Sequence, residues 1–428
     1  MKRILIISPY FPPTNAADMQ RVRMSLTYYK EYNWDAEVVT VDERYSDLQK
    51  DELLCQSVPQ DIKIYKIKAL DKAWTSKLGL GSLALRSMWY YKQTVDKLLK
   101  SSRFDLIYFS TTQFPLCVLG AYWKRKFGVP YVIDMQDPWH SEYYRDKPRH
   151  QRPPKYWFSY RLNKYMEPFA MKNVDGLISV SQKYIDDLKQ RYPELKEIPA
   201  ATITFGAFAP DMQIAEINHS KFKQILDSKS INLVYIGRGG FDMHSAIFKL
   251  FTAFKNGLEE EPEVFKKLKL YFIGTSYAPA GSGKPTISPL AYDMGLKDYV
   301  NEVTDRIGYY HTLATLQQAD GLFIPGSDDS KYTASKLYPY LLTRKPLIAI
   351  LNRESPALTV LNEFGIKDVY EYEPSLKSHR AIYQFLKNLA EKRLQPIHIN
   401  AEVEKRYDAK QMTRSQCELF DKIIHEKT

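Results

Sequence analysis

Four stretches of this chain hold side chains suited to anions or to proton transfer. Residues 319–350 read ADGLFIPGSDDSKYTASKLYPYLLTRKPLIAI: a short apolar run, a loop of turn formers, a helical stretch and a second apolar run. A helix that starts just after a strand presents N–H groups without intrahelical partners and the positive end of its dipole. Pro339 fits within a first helical turn, which sets the expected start near Ser335 or Lys336. Those N–H groups and the Lys336 ammonium would then converge on one anion, phosphate being the natural choice. An ordinary capped helix would have the same sequence.

The second stretch is Gly237-Arg238-Gly239-Gly240, after the apolar run INLVYI. Gly239 and its neighbours let a ligand approach the backbone, and Arg238 offers a planar fork for phosphate oxygens; a simple turn is the plain alternative. Asp242 stands where a dinucleotide fingerprint needs its third glycine. Nor is Gly281-Ser282-Gly283-Lys284 a P-loop, because Ala278 and Pro285 occupy positions that a P-loop requires as Gly and Ser or Thr.

IDMQDPWH, residues 133–140, brings Asp134, Asp137 and His140 to a strand end. Asp137 there is a base, a holder of a hydroxyl, or the cap of a turn. The fourth stretch, PYFPPTNAADMQR, has a loop stiffened by prolines, with Asn15 and the small Ala16 where a ligand would meet backbone N–H groups. Arg21, one turn into the following helix, reaches either a phosphate or solvent. No metal site is expected: Asp328 and Asp329 are adjacent and would point apart, with no histidine pattern beside them. The three cysteines have no ligand or disulfide spacing, which suits a reducing compartment.

These loops need a frame, and hydropathy supplies one. Apolar runs at residues 3–8, 36–41, 105–109, 130–134 and 176–180 alternate with helical stretches, near 19–32, up to 127 and at 182–192. The theme restarts at 231–236 and continues through 269–274, 299–303, 321–325 and 346–351. Strands alternating with helices imply parallel sheets covered on both faces. The expected fold is therefore α/β, with two Rossmann-like, doubly wound domains facing a cleft: residues 1–206, residues 207–407, and a last helix, 408–428, crossing back to the first domain. In such sheets ligands bind beyond the carboxyl ends of the strands, which selects the four loops above.

The chain has 428 residues and a formal charge of +11, which suits an anionic ligand, a nucleic acid or an anionic membrane. The opening MKRILIISPYF reads as a buried strand rather than a signal peptide, and no apolar run is long enough to span a bilayer. A cytoplasmic location is expected. Residues 72–92 and 143–164 mix cations with aromatic residues, as interfacial or nucleic-acid-binding segments do, or as a packed helix with a wet face does. No nucleic-acid-binding motif accompanies them.

Taken in order, ILIISPYFPP, DLIYFSTTQF, GVPYVIDMQDPW, VDGLISVSQKYIDDL, INLVYIGRGG and the 319–350 stretch resemble a retaining glycosyltransferase of the GT-B fold, most like family 4. That resemblance implies transfer of a sugar from a nucleotide-sugar donor to a glycan or lipid-linked acceptor, without cofactor or metal. The setting would be surface polysaccharide or lipopolysaccharide synthesis, with peripheral contact to an anionic membrane and no nucleic acid. It also implies that Arg238, Gly239, Ser335 and Lys336 hold the donor diphosphate. Asp328, Tyr332 and Thr333 would lie toward the nucleoside or sugar, and Asp137 at the reacting carbon. Lys331 and Pro339 stand where the family carries two glutamates, Ala16-Ala17 where it carries paired glycines, and His244 near the place of a usual lysine. A nucleotide-sugar epimerase on the same fold and a non-catalytic GT-B subunit are the alternatives.

Overall fold

The computed structural model describes residues 1–142, 145, 156–328, 337–372 and 376–425. The chain divides into two compact units, Met1–Gly206 with Tyr407–Thr428, and Ala207–Arg406.

The first unit is built on a parallel sheet of seven strands: β1 (Lys2–Ile7), β2 (Trp34–Val41), β3 (Lys63–Ile67), β4 (Leu106–Ser110), β5 (Tyr131–Met135), β6 (Gly176–Ser179) and β7 (Ala200–Thr202). Their order is β3-β2-β1-β4-β5-β6-β7. Every residue of β4, β5 and β6 is buried, as expected of parallel strands covered on both faces. The edge strands escaped the hydropathy reading for a physical reason. KIYKI of β3 is mostly exposed and carries two lysines, as an unpaired edge requires, and β7 is only AAT.

Helix Ala409–His425 completes this unit. Its Phe420 ring packs against Trp34 and Tyr108, at 5.6 and 5.1 Å between centroids. Its Gln416 accepts from Tyr29 Oη at 2.8 Å and donates to Ser25 Oγ at 2.9 Å. Gly176 of β6 leaves the space that Ile423 fills; a Cβ there would collide with the Ile423 side chain.

The second unit repeats the plan with six parallel strands: β8 (Ile231–Ile236), β9 (Leu268–Ile273), β10 (Val300–Val303), β11 (Gly321–Pro325), β12 (Leu347–Leu351) and β13 (Val369–Glu371). Their order is β10-β9-β8-β11-β12-β13. Each sheet therefore reverses its strand order once, between β1 and β4 and between β8 and β11. Those two points are where an open α/β sheet leaves a crevice at its carboxyl edge.

Expected elements shift modestly. The helix expected over residues 19–32 is split into an α-helix, Gln20–Ser25, and a 3₁₀ turn, Tyr29–Tyr32. The helix after β11 is described as Leu337–Leu342; Ser335 and Lys336, expected at its start, lie outside the described residues.

Candidate functional site

At the β8–β11 crevice, the backbone after β8 turns through Gly237 to Gly240. Gly239 donates its N–H to the Thr275 carbonyl at 2.7 Å, and Tyr235 Oη donates to the Arg238 carbonyl at 2.9 Å. A Cβ on Gly239 would press on Thr275 and Thr286, so this position needs glycine. The loop thus holds Arg238 at the strand end. Its guanidinium donates from Nη1 and Nη2 to the two carboxylate oxygens of Asp242, at 3.0 and 2.6 Å. Asp242 also accepts from Ser327 Oγ, while its carbonyl accepts from the Asp328 N–H at 2.8 Å. One carboxylate thereby ties the loop after β8 to the loop after β11. Its hydrogen bonds from Arg238, with a further one from Ser327, hold the Asp242 pKa down to about 2. The His244 ring meets the Thr286 carbonyl at 2.9 Å.

Asp328 is exposed beside this brace. Tyr332 and Thr333, expected toward the nucleoside or sugar, lie with Lys331, Ser335 and Lys336 outside the described residues.

The β1–β4 crevice has a matching device. Asp18, in the loop after β1, is buried and accepts from Thr111 Oγ1 at 3.2 Å, Thr112 N–H at 2.9 Å and Thr112 Oγ1 at 3.1 Å. An aspartate again joins the loops of the two strands that flank the reversal. Burial raises the Asp18 pKa against the pull of those donors. Asp137, two residues beyond β5, reaches solvent. Desolvation by surrounding protein and, secondly, the Asp18 charge raise its pKa too. A carboxyl pushed up in this way is suited to carrying a proton. Sequence reading singled out Asp137 and passed over Asp18 and Asp242; an aspartate shortly after each strand end was the available signal.

Arg21 requires a correction. It reaches neither solvent nor an open anion site: it is fully buried, and its Nε donates to the equally buried Asp134 at 2.7 Å. Nη2 donates to the Ile203 carbonyl at 2.7 Å. Asp134 accepts further from Ser110 Oγ and Gln136 Nε2, each at 3.0 Å, and from Tyr108 Oη at 3.2 Å. This cluster cross-links β4, β5 and the first helix. Asn15 N–H donates to the Gln49 carbonyl at 2.8 Å, so it is already engaged within the protein, and Ala16 is buried. His140 is buried as well; its backbone N–H donates to Glu167 Oε2 at 2.8 Å, and desolvation lowers the pKa of its ring. Among the described residues no group of three His, Cys, Asp or Glu side chains could hold a metal ion.

Comparison with known proteins gives this arrangement a context. Residues 56–204 match the model of Glycosyltransferase Family 4. Among solved structures, the chain is similar to Anabaena HepE in complex with UDP, at 15% identity and TM-score 0.54, covering 99% of this chain and 100% of that one. It is similar to an E. coli structure described as trehalose-6-phosphate bound with UDP-2-fluoro glucose, at 12% identity and TM-score 0.53, covering 98% and 99%. S. aureus TarM, in complex with UDP among other ligands, matches at 10% identity and TM-score 0.53, covering 98% and 100%. No curated protein sequence matches the chain. The two parallel-sheet units are those of the GT-B fold.

Proposed function

We propose that this chain is a glycosyltransferase that takes its sugar from a UDP-sugar and passes it, with retention of configuration, to a glycan or lipid-linked acceptor. The observation that carries this reading is the Family 4 match over residues 56–204, on a chain whose two sheets have the GT-B strand order. The three similar structures named above were all solved with UDP or a UDP-sugar, which supports uracil as the base.

Arg238 receives the diphosphate; Gly239, its N–H taken by the Thr275 carbonyl, shapes the turn that presents the guanidinium. By the family resemblance, Ser335 and Lys336 serve the same diphosphate, and Asp328, Tyr332 and Thr333 the nucleoside and sugar. Charge that develops on the departing diphosphate is met by these cations, the term that most lowers the barrier in such transfers, and no metal or cofactor is required. The Asp242 carboxylate is displaced as the phosphate takes its place on Arg238. Asp137, whose pKa is raised by desolvation and secondly by Asp18, holds an acceptor hydroxyl. Synthesis of a surface polysaccharide or lipopolysaccharide, at the inner face of an anionic membrane, is the setting proposed. Among the described residues no helix is long and apolar enough to cross that membrane.

The test is release of UDP from UDP-sugars, with and without candidate acceptors and with a chelator present. Acceptor-dependent release supports the reading, and Arg238→Ala should abolish it. Turnover of the donor without acceptor would favour an epimerase. Nucleotide binding with no turnover would favour a non-catalytic subunit, in line with Pro339 standing where the family carries a glutamate.

A further inference from the structure

Helix Tyr156–Met171 in the first unit turns an unusual face to solvent. Steps of four residues place Trp157, Arg161, Tyr165 and Phe169 along one slowly winding stripe, with Lys164 beside it. The three aromatic residues are 66%, 68% and 70% exposed, and both cations are exposed. The helix is anchored elsewhere: Glu167, Ala170 and Met171 are buried, and Asn163 accepts from Trp139 Nε1 at 3.1 Å. Large rings left in water on an otherwise packed helix indicate a partner.

A fourth exposed ring lies nearby. Phe158 packs against Gly79, and a Cβ there would sit 3.6 Å from its ring. That contact sets the segment carrying Trp74, 76% exposed with Lys77 over its ring, beside this helix. Charge identifies the partner's sign. Arg161 and Lys164 are exposed on the helix, and Lys77 is exposed beside Trp74.

We propose that this face docks on an anionic lipid bilayer, with the aromatic rings at the headgroup boundary and the cations on lipid phosphates. Rings with an apolar body, spaced by cations on one helical face, match an interface in which one side is apolar and the other is charged. Each cation near an anionic leaflet strengthens binding about five-fold. The inference deepens the membrane setting proposed above and names the surface that would serve it.

The experiment is co-sedimentation of the full chain with vesicles of phosphatidylglycerol or of phosphatidylcholine alone, with UDP binding measured separately in the absence of vesicles. Three proteins are compared: wild type, Trp157→Ser/Tyr165→Ser/Phe169→Ser, and Arg161→Gln/Lys164→Gln. All substituted groups are exposed, and an unchanged melting midpoint confirms folding. Selective binding of wild type to phosphatidylglycerol, weakened at least ten-fold in both variants, is the expected result. Absence of wild-type binding at low salt, or binding that the aromatic variant retains, would overturn it. So would tighter binding to a single-stranded oligonucleotide that is lost in the same variants. Vesicle binding without UDP binding would reject the donor reading alone; UDP binding without vesicle binding would reject this inference alone.

Discussion

Asp242 grips Arg238 through two parallel hydrogen bonds, at 3.0 and 2.6 Å, meeting the guanidinium with the geometry that a phosphate would use. The carboxylate is an internal anion occupying the cation proposed for the donor. Donor binding is then an exchange of one anion for another on a preset arginine. Asp242→Asn removes the competing charge and should tighten UDP binding about three- to ten-fold, or about 0.7–1.4 kcal/mol, in a calorimetric titration. Weaker binding would mean that the carboxylate orients Arg238 rather than competes for it.

The Asp242 pKa, held down to about 2 chiefly by Arg238, fixes the sign of a pH effect. A depressed carboxylate contributes stability above its unfolded pKa of about 3.9, and that contribution is lost as pH falls toward 2. Acid unfolding of Asp242→Asn should therefore show a shallower loss of stability between about pH 4 and pH 2 than the wild type. Identical slopes in urea titrations across that range would contradict the pairing.

Asp137 has the opposite sign. Desolvation and the Asp18 charge raise its pKa, so it binds its proton more firmly than an ordinary carboxyl. Asp18→Asn removes one of these causes, and the Asp137 titration should move to lower pH. Carbon-13 titration of the Asp137 carboxyl reads this directly. A midpoint that stays in place would show that the two groups are not coupled.

The buried pair Arg21–Asp134 is a matter of stability rather than of ligand binding. Removing one partner strands a charge in the interior, which typically costs about 3–5 kcal/mol. Arg21→Met should lower the unfolding free energy of the first unit by that order, read from its urea transition. Arg21→Met/Asp134→Leu should cost less than the two single variants added together, because neither charge is left alone.

Packing of the last helix gives a compensating pair. Gly176→Ala pushes a methyl into Ile423 and should destabilise by about 1–3 kcal/mol, as overpacking does. Adding Ile423→Val should recover part of that loss in thermal melts. No recovery would mean that the helix does not seat on β6 as described.

The fold was legible because parallel strands buried on both faces write themselves as unbroken apolar runs: each central strand stands out as LIYFS or INLVYI does. The edge strands β3, β7 and β13 did not show, since an edge keeps polar residues and only short pairing. Within the candidate site, the turn at Arg238 was readable from its glycines. Arg21 was not, because its helix carries Arg23 as well and nothing local says that a carboxylate 113 residues away will bury it. Asp18 and Asp242 were missed for the same reason: their partners Thr111, Thr112 and Ser327 are brought close only by the strand order.

The most direct test of the account is a calorimetric titration of UDP into wild type and into Arg238→Ala, with a chelator present. A saturable UDP isotherm without metal is expected, weakened at least ten-fold in Arg238→Ala. No UDP binding by a folded wild type, or equal binding by both proteins, would contradict it.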